Sequence, residues 1–193
     1  MRRLTTTTLV AGLLLSLTAC SNDPAAPTVS RTSSSPEPVA TTSSSSPSPT
    51  ARDTTYKLGE TAKVTTADAT FTVTALAYTQ AVKGPQPPDP ATQGGDVWAA
   101  VEAKVCSVSG ITLSVTQFPW SLAYADGTVV KVTGSTGGDL PKPEFPMDQP
   151  VTNGRCIKGK IPFPVMNKTR PERVVYAPEA LSATPIEWAV PKQ

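Results

Sequence analysis

Three cysteines, Cys20, Cys106 and Cys156, are the most reactive side chains in a chain of 193 residues that contains no histidine. A thiol takes a lipid, closes a disulfide, ligates a metal or attacks a carbonyl, and its surroundings decide which. Without an imidazole, Ser-His-Asp and Cys-His catalysis and every His-ligated metal site are excluded. A Ser-Lys dyad of the Ser-x-x-Lys kind is absent from residues 56–193, and so is any Cys-x-x-Cys redox motif. Asp139, Glu144 and Asp148 fall in one stretch and offer the hard oxygens calcium prefers. Their spacing follows no calcium loop and prolines interrupt it, so the expectation is a solvated loop and no metal. No phosphate-cradling glycine pattern occurs, and Gly94-Gly95 and Gly137-Gly138 read as turns. The chemistry-bearing residues therefore point away from an enzyme and from any cofactor.

Cys20 has to be read with what precedes it. Arg2 and Arg3 are followed by an apolar run over residues 9–17, broken mainly by Gly12 and Ser16. That is the layout of an export signal. The run falls short of the roughly 20 apolar residues a membrane-spanning helix needs. The tetrapeptide Leu17-Thr18-Ala19-Cys20 resembles the lipobox of bacterial lipoprotein precursors, an aliphatic residue and two small ones before a cysteine. The resemblance implies that residues 1–19 are a lipoprotein signal peptide, that Cys20 is alkylated by diacylglycerol, and that its new amino group is open to acylation. The alternative is an ordinary signal peptide cut near Ala19. A two- or three-chain lipid anchor, at about 0.8 kcal/mol per buried methylene, makes attachment to the outer face of the cell membrane effectively permanent. Removing Arg2 and Arg3 takes the formal charge from +2 to zero. A neutral chain has no electrostatic footprint for nucleic acid, which is not an expected partner.

After Cys20, residues 21–55 are almost entirely Ser, Thr, Pro and Ala. So little apolar surface does not offset the entropy of ordering, and residues 20–55 are expected to form a disordered tether. Such a tether averages on the order of 30 Å end to end. It reads as a plain spacer, with glycosylation of its Ser and Thr as the alternative.

Residues 56–193 are the size of one domain and show the period-two alternation of half-buried strands. In residues 96–105, Val97, Ala99, Val101, Ala103 and Val105 share one face, and Asp96, Glu102 and Lys104 share the other. Phe71, Val73 and Ala75 alternate with Thr70, Thr72 and Thr74; Phe118, Trp120 and Leu122 share a face. Asp126-Gly127 predicts a two-residue hairpin turn with both central residues at positive φ. Ile157, Ile161, Phe163 and Val165 form another apolar face, and Ile186, Trp188 and Val190 a last one. With strands near 61–66, 128–132 and 173–176, the pattern predicts an all-β protein of about seven or eight antiparallel strands in two packed sheets. An open barrel is the alternative. Pro162 and Pro164 have the same parity, so that side of their strand should be a sheet edge. Residues 83–95 and 134–150 read as long surface loops.

Cys106 and Cys156 remain once Cys20 is set aside, and a pair of cysteines in an exported chain is expected to form a disulfide, with free thiols the alternative. Both follow the polar parity of their strands, which puts the bridge outside the sandwich core. Closing so long a loop stabilises by roughly 4 kcal/mol in the chain-entropy treatment. Trp120 and Trp188 are assigned to the core. Parity sends Trp98 outward, either packed beneath a loop or offered as a binding surface.

Several segments resemble, in order, a family of uncharacterised domains. They are Tyr56-Lys57-Leu58-Gly59-Glu60, residues 98–105, Leu122-Ala123-Tyr124-Ala125-Asp126-Gly127, residues 153–163 and Arg173-Val174-Val175-Tyr176. The family occurs in actinobacterial and other Gram-positive lipoproteins and is related to secreted mycobacterial immunoglobulin-like antigens. The resemblance implies an immunoglobulin-like β-sandwich, export and protein binding, and it brings no catalytic residues. The Pro-rich stretch after Lys83 departs from the family's compact core. The functional expectation is a membrane-anchored, extracytoplasmic binding or protein-interaction module. Its alternative is a carrier of a small apolar ligand held between the sheets.

Overall fold

Alternation of small apolar and polar residues builds two long strands that organise everything else. The structure is a computed structural model describing residues 26–32, 55–86, 91, 94–181 and 184–192; residues 1–19, Cys20 and the stretch 33–54 lie outside the described residues. In β4 (Ala69–Val82) and β5 (Val97–Gly110), Val73, Ala75, Val101, Ala103 and Val105 are fully or almost fully buried on one face. The remaining strands are β1 (Thr28–Arg31), β2 (Tyr56–Lys57), β3 (Ala62–Thr65), β6 (Leu113–Val115), β7 (Trp120–Ala123), β8 (Val129–Lys131), β9 (Gln149–Val151), β10 (Cys156–Val165), β11 (Arg173–Tyr176) and β12 (Ile186–Ala189).

One five-stranded sheet runs β1-β3-β4-β5-β10 and the other β2-β12-β11-β7-β8, with β6 and β9 forming a small ribbon. The two face each other as an immunoglobulin-like β-sandwich, so the barrel alternative falls away. The described residues hold twelve strands rather than seven or eight, and the β2–β12 pair is parallel. The added strands have only two to four residues, too few for a period-two pattern to show.

Aromatic residues of the second sheet fill the space between the layers. Trp120 and Trp188 stack at 5.8 Å, Tyr176 lies 4.8 Å from Trp120, and Tyr56 lies 5.8 Å from Trp188. Burial pushes the Tyr176 phenol up to about 12. The Trp188 indole donates to the Glu60 carbonyl at 2.9 Å, satisfying its one polar atom.

Three local expectations need correction. Phe118 is 63% exposed instead of sharing the core with Trp120. The Trp120 N–H donates to the Gln117 carbonyl at 3.0 Å in a turn that contains Pro119, so strand geometry begins only at Trp120 and Gln117 goes inward. The stretch 134–150 is not simply a surface loop, because Phe145 is fully buried edge-on to Trp120 at 6.4 Å and Leu140 is also buried. Residues 20–55, expected to be disordered throughout, include β1. Its Val29 lies opposite Val64 and packs on the core, which supplies the apolar contact the rest of that composition lacks.

The edge expected at Pro162 and Pro164 is present, since β10 is the last strand of its sheet. It is covered in part. The Lys160 N–H donates to the Pro143 carbonyl at 2.8 Å and the Phe145 N–H donates to the Lys160 carbonyl at 3.0 Å. Gly159 permits this approach, because a Cβ there would sit 2.5 Å from the Phe145 nitrogen.

Candidate functional site

The hairpin between β7 and β8 presents residues that line a cleft beside Arg170. The Gly127 N–H donates to the Tyr124 carbonyl at 3.1 Å and the Tyr124 N–H to the Thr128 carbonyl at 2.9 Å. Only Gly127 adopts positive φ, at 84°, so the expected two-residue turn is instead a three-residue loop of Ala125, Asp126 and Gly127. The reason is local: the Asp126 carboxylate accepts the Thr128 N–H at 2.9 Å, which holds Asp126 in an Asx turn. The Thr128 hydrogen bonds also lower the pKa of this exposed carboxyl.

Opposite this loop stands the segment after β10. Near the end of β4 the ladder shifts register between Thr79 and Val82, and Ala81 takes φ 56°, a conformation non-glycine residues adopt rarely. In this bulge the Gln80 amide donates to the carbonyls of Met166, Asn167 and Thr169 at 2.9–3.0 Å. On the other side the Asn167 N–H donates to the Asp96 carboxylate at 2.6 Å. The segment is therefore fixed from β4 and from the residue that precedes β5.

Arg170 is the outcome of that fixing. Its guanidinium lies 4.9 Å over the Tyr78 ring and its Nε donates to the Pro191 carbonyl at 2.9 Å. No carboxylate among the described residues forms an ion pair with it. An arginine held by one face and by Nε keeps the two-pronged Nη end available for a planar anion. Arg170 borders a cleft of about 440 Å³ shared with Tyr124, Asp126, Val130 and Met166. It also borders a hollow of about 410 Å³ shared with Gln80, Lys168 and Lys192, where no carboxylate among the described residues contributes to the wall. Burial raises the pKa of Tyr78 and of Tyr124, with each case reinforced by a nearby oxygen: that of Tyr124 for Tyr78, that of Asp126 for Tyr124. The Tyr78 hydroxyl donates to Gln80 at 3.2 Å, while the buried Tyr124 hydroxyl has no protein partner among the described residues.

At the opposite end of the sandwich, a hollow of about 220 Å³ enters between the layers. Phe71, Val105, Val115, Tyr176 and Leu181 line it.

A secreted protein from Mycobacterium tuberculosis, MPT63, superposes with a TM-score of 0.56 at 18% identity, covering 72% of this chain and 99% of that one. The likeness lies in the fold. The yjhA protein from Bacillus subtilis gives a TM-score of 0.49 at 12% identity, over 70% of this chain and 99% of that one. No family model matches the chain, and no curated protein matches it.

The residues singled out in the sequence have different fates. Cys106 and Cys156 are bonded to each other and lie directly opposite on β5 and β10, with Cα atoms 4.0 Å apart. Both stand outside the buried core cluster, as their parity required. Trp98 also lies outside that cluster, yet it is 3% exposed: Gly84 packs on its ring and its indole donates to the Pro85 carbonyl at 2.7 Å. It is therefore not offered as a binding surface. Two of the three acidic residues singled out, Glu144 and Asp148, are engaged separately. Glu144 pairs with Lys142 and accepts the Gly137 N–H at 3.1 Å, contacts that lower its pKa, and Asp148 accepts from Ser114. Among the described residues no three His, Cys, Asp or Glu side chains are grouped to hold a metal. Arg170 was not singled out from sequence, because only the bulge at Ala81 brings Gln80 and Tyr78 against it.

Proposed function

We propose that this chain is a non-enzymatic, extracytoplasmic lipoprotein, anchored through diacylglycerol on Cys20, whose sandwich domain binds a partner protein at the Arg170 cleft. The export signal and the tetrapeptide ending at Cys20 support the anchor. The likeness in fold to a secreted mycobacterial protein is compatible with an extracytoplasmic setting.

The observation that carries the binding assignment is the Arg170 guanidinium, fixed and without an ion-pair partner among the described residues, between a partly apolar cleft and a cationic hollow. A cleft of about 440 Å³ falls in the volume range of ligand sites, and apolar walls with a few convergent polar groups are their usual makeup. The matching partner segment carries an apolar side chain, seated against Val130 and Met166, next to a carboxylate that takes the Arg170 fork. Arginine at the centre of such a contact commonly dominates its energy.

The test is a paired capture from envelope extracts with the full chain and its Arg170→Gln variant. A partner retained by the first and lost from the second is the expected result; identical recovery with both contradicts the assignment. Separately, a tagged fatty acid fed to cells should label the chain and leave Cys20→Ser unlabelled.

The second reading, a carrier of a small apolar ligand, draws on the apolar hollow at the Leu181 end. Its volume, about 220 Å³, suits only a compact ligand, since typical sites start near 300 Å³. Native mass spectrometry of the purified chain separates the two readings, because a carrier retains a co-purifying small molecule.

A further inference from the structure

The outer edge of β3 is occupied by four residues of the segment that precedes the domain. Thr28, Val29, Ser30 and Arg31 pair antiparallel with Thr65, Val64, Lys63 and Ala62. The contacts amount to a short cassette. Val29 is half-buried on the core, and the Arg31 guanidinium meets the Glu60 carboxylate and the Thr55 carbonyl, each at 2.8 Å, 4.5 Å above the Tyr56 ring. The Thr32 N–H adds a bond of 3.2 Å to the Thr61 carbonyl. The remaining side chains of β1 are exposed, as is Thr32.

Such a strand is weakly held. Ordering the backbone of each residue costs at least as much free energy as one net hydrogen bond returns, and an exposed ion pair returns less. One half-buried valine does not change that balance by much. When β1 leaves, β3 becomes an edge with unpaired backbone groups, an acceptor for any matching strand.

The segment connecting β1 to β2, residues 32–55, reaches roughly 80 Å when fully extended, at about 3.3–3.6 Å per residue. A domain of this size has a radius of gyration of only about 14 Å. The connection is therefore long enough to reach a neighbouring domain as well as its own, and the neighbour offers the same Val64, Glu60 and Tyr56.

We propose that β1 is an exchangeable strand that pairs with β3 of a second copy of this chain, linking copies through strand addition. The self-paired arrangement is favoured in dilute solution, where the connection keeps β1 at about millimolar effective concentration. The exchanged arrangement takes over where copies are crowded.

Engineered thiols at the facing positions Ser30 and Lys63 test this in the full chain carrying Cys20→Ser. The double variant Ser30→Cys with Lys63→Cys should close within one chain at low concentration. Differently tagged single variants, Ser30→Cys and Lys63→Cys, mixed at millimolar concentration under mild oxidation, should give a disulfide-linked heterodimer. The exposed Lys131→Cys, on the far sheet, should give at least tenfold less with the same Ser30→Cys partner. Failure of the double variant to close, absence of the heterodimer, or equal yield with Lys131→Cys would each overturn the proposal.

Discussion

The two edges of the β1-β3-β4-β5-β10 sheet meet the same hazard by opposite means. At β10 the solution is permanent: Pro162 and Pro164 carry no N–H, residues 143–145 cover the backbone around Lys160, and the Cys106–Cys156 bridge ties the strand to β5. At β3 it is a short peptide of mostly exposed residues, attached by a few hydrogen bonds, one valine and one arginine. A sheet of this kind can thus close one side as scaffold and leave the other as a contact surface, without any change in the core between them. Unpaired strand edges template further pairing, so the choice of which edge to seal is a choice of where other chains join.

The largest expected effect comes from breaking the sealed edge covalently. Replacing Cys106 and Cys156 by serine removes a bridge across a sequence separation of 50 residues and should cost about 4 kcal/mol, read from chemical denaturation. The next comes from pushing its cover away. In Gly159→Ala the new methyl meets the Glu144 and Phe145 backbone, and a loss of about 2 kcal/mol is expected, with loosening of Phe145 visible in the protection of its amide. The smallest global effect belongs to the other edge. Val29→Asp should lower domain stability by less than about 1 kcal/mol, within the range of surface changes, while abolishing protection of the Thr32 amide. If Val29→Asp destabilised the domain as much as Gly159→Ala, the distinction between the edges would disappear.

Much of this was legible in the residues, and the rest failed for identifiable reasons. Alternation in 96–105 and 157–165 placed the inward faces correctly, because a long strand with one buried face leaves a period-two record. The same parity put the Cys106–Cys156 bridge outside the core and the two prolines on an edge. Trp98 shows the limit of parity: it reports which face a residue takes, not whether a loop covers that face. β1 was missed because pairing needs only backbone and a single valine, which Ser/Thr-rich composition conceals. The Arg170 cleft was illegible for a different reason. It depends on Gln80 being redirected by a bulge at Ala81 and on three segments distant in sequence, and no local pattern encodes that juxtaposition.

The contrast between the edges is measured most directly by native-state hydrogen exchange at two amides. Lys160 bonds to Pro143 at the sealed edge and Thr32 bonds to Thr61 at the exchangeable one. The account predicts that Lys160 is protected at least ~100-fold more than Thr32, a difference of about 3 kcal/mol in opening free energy. Equal protection of the two, or stronger protection of Thr32, would contradict it.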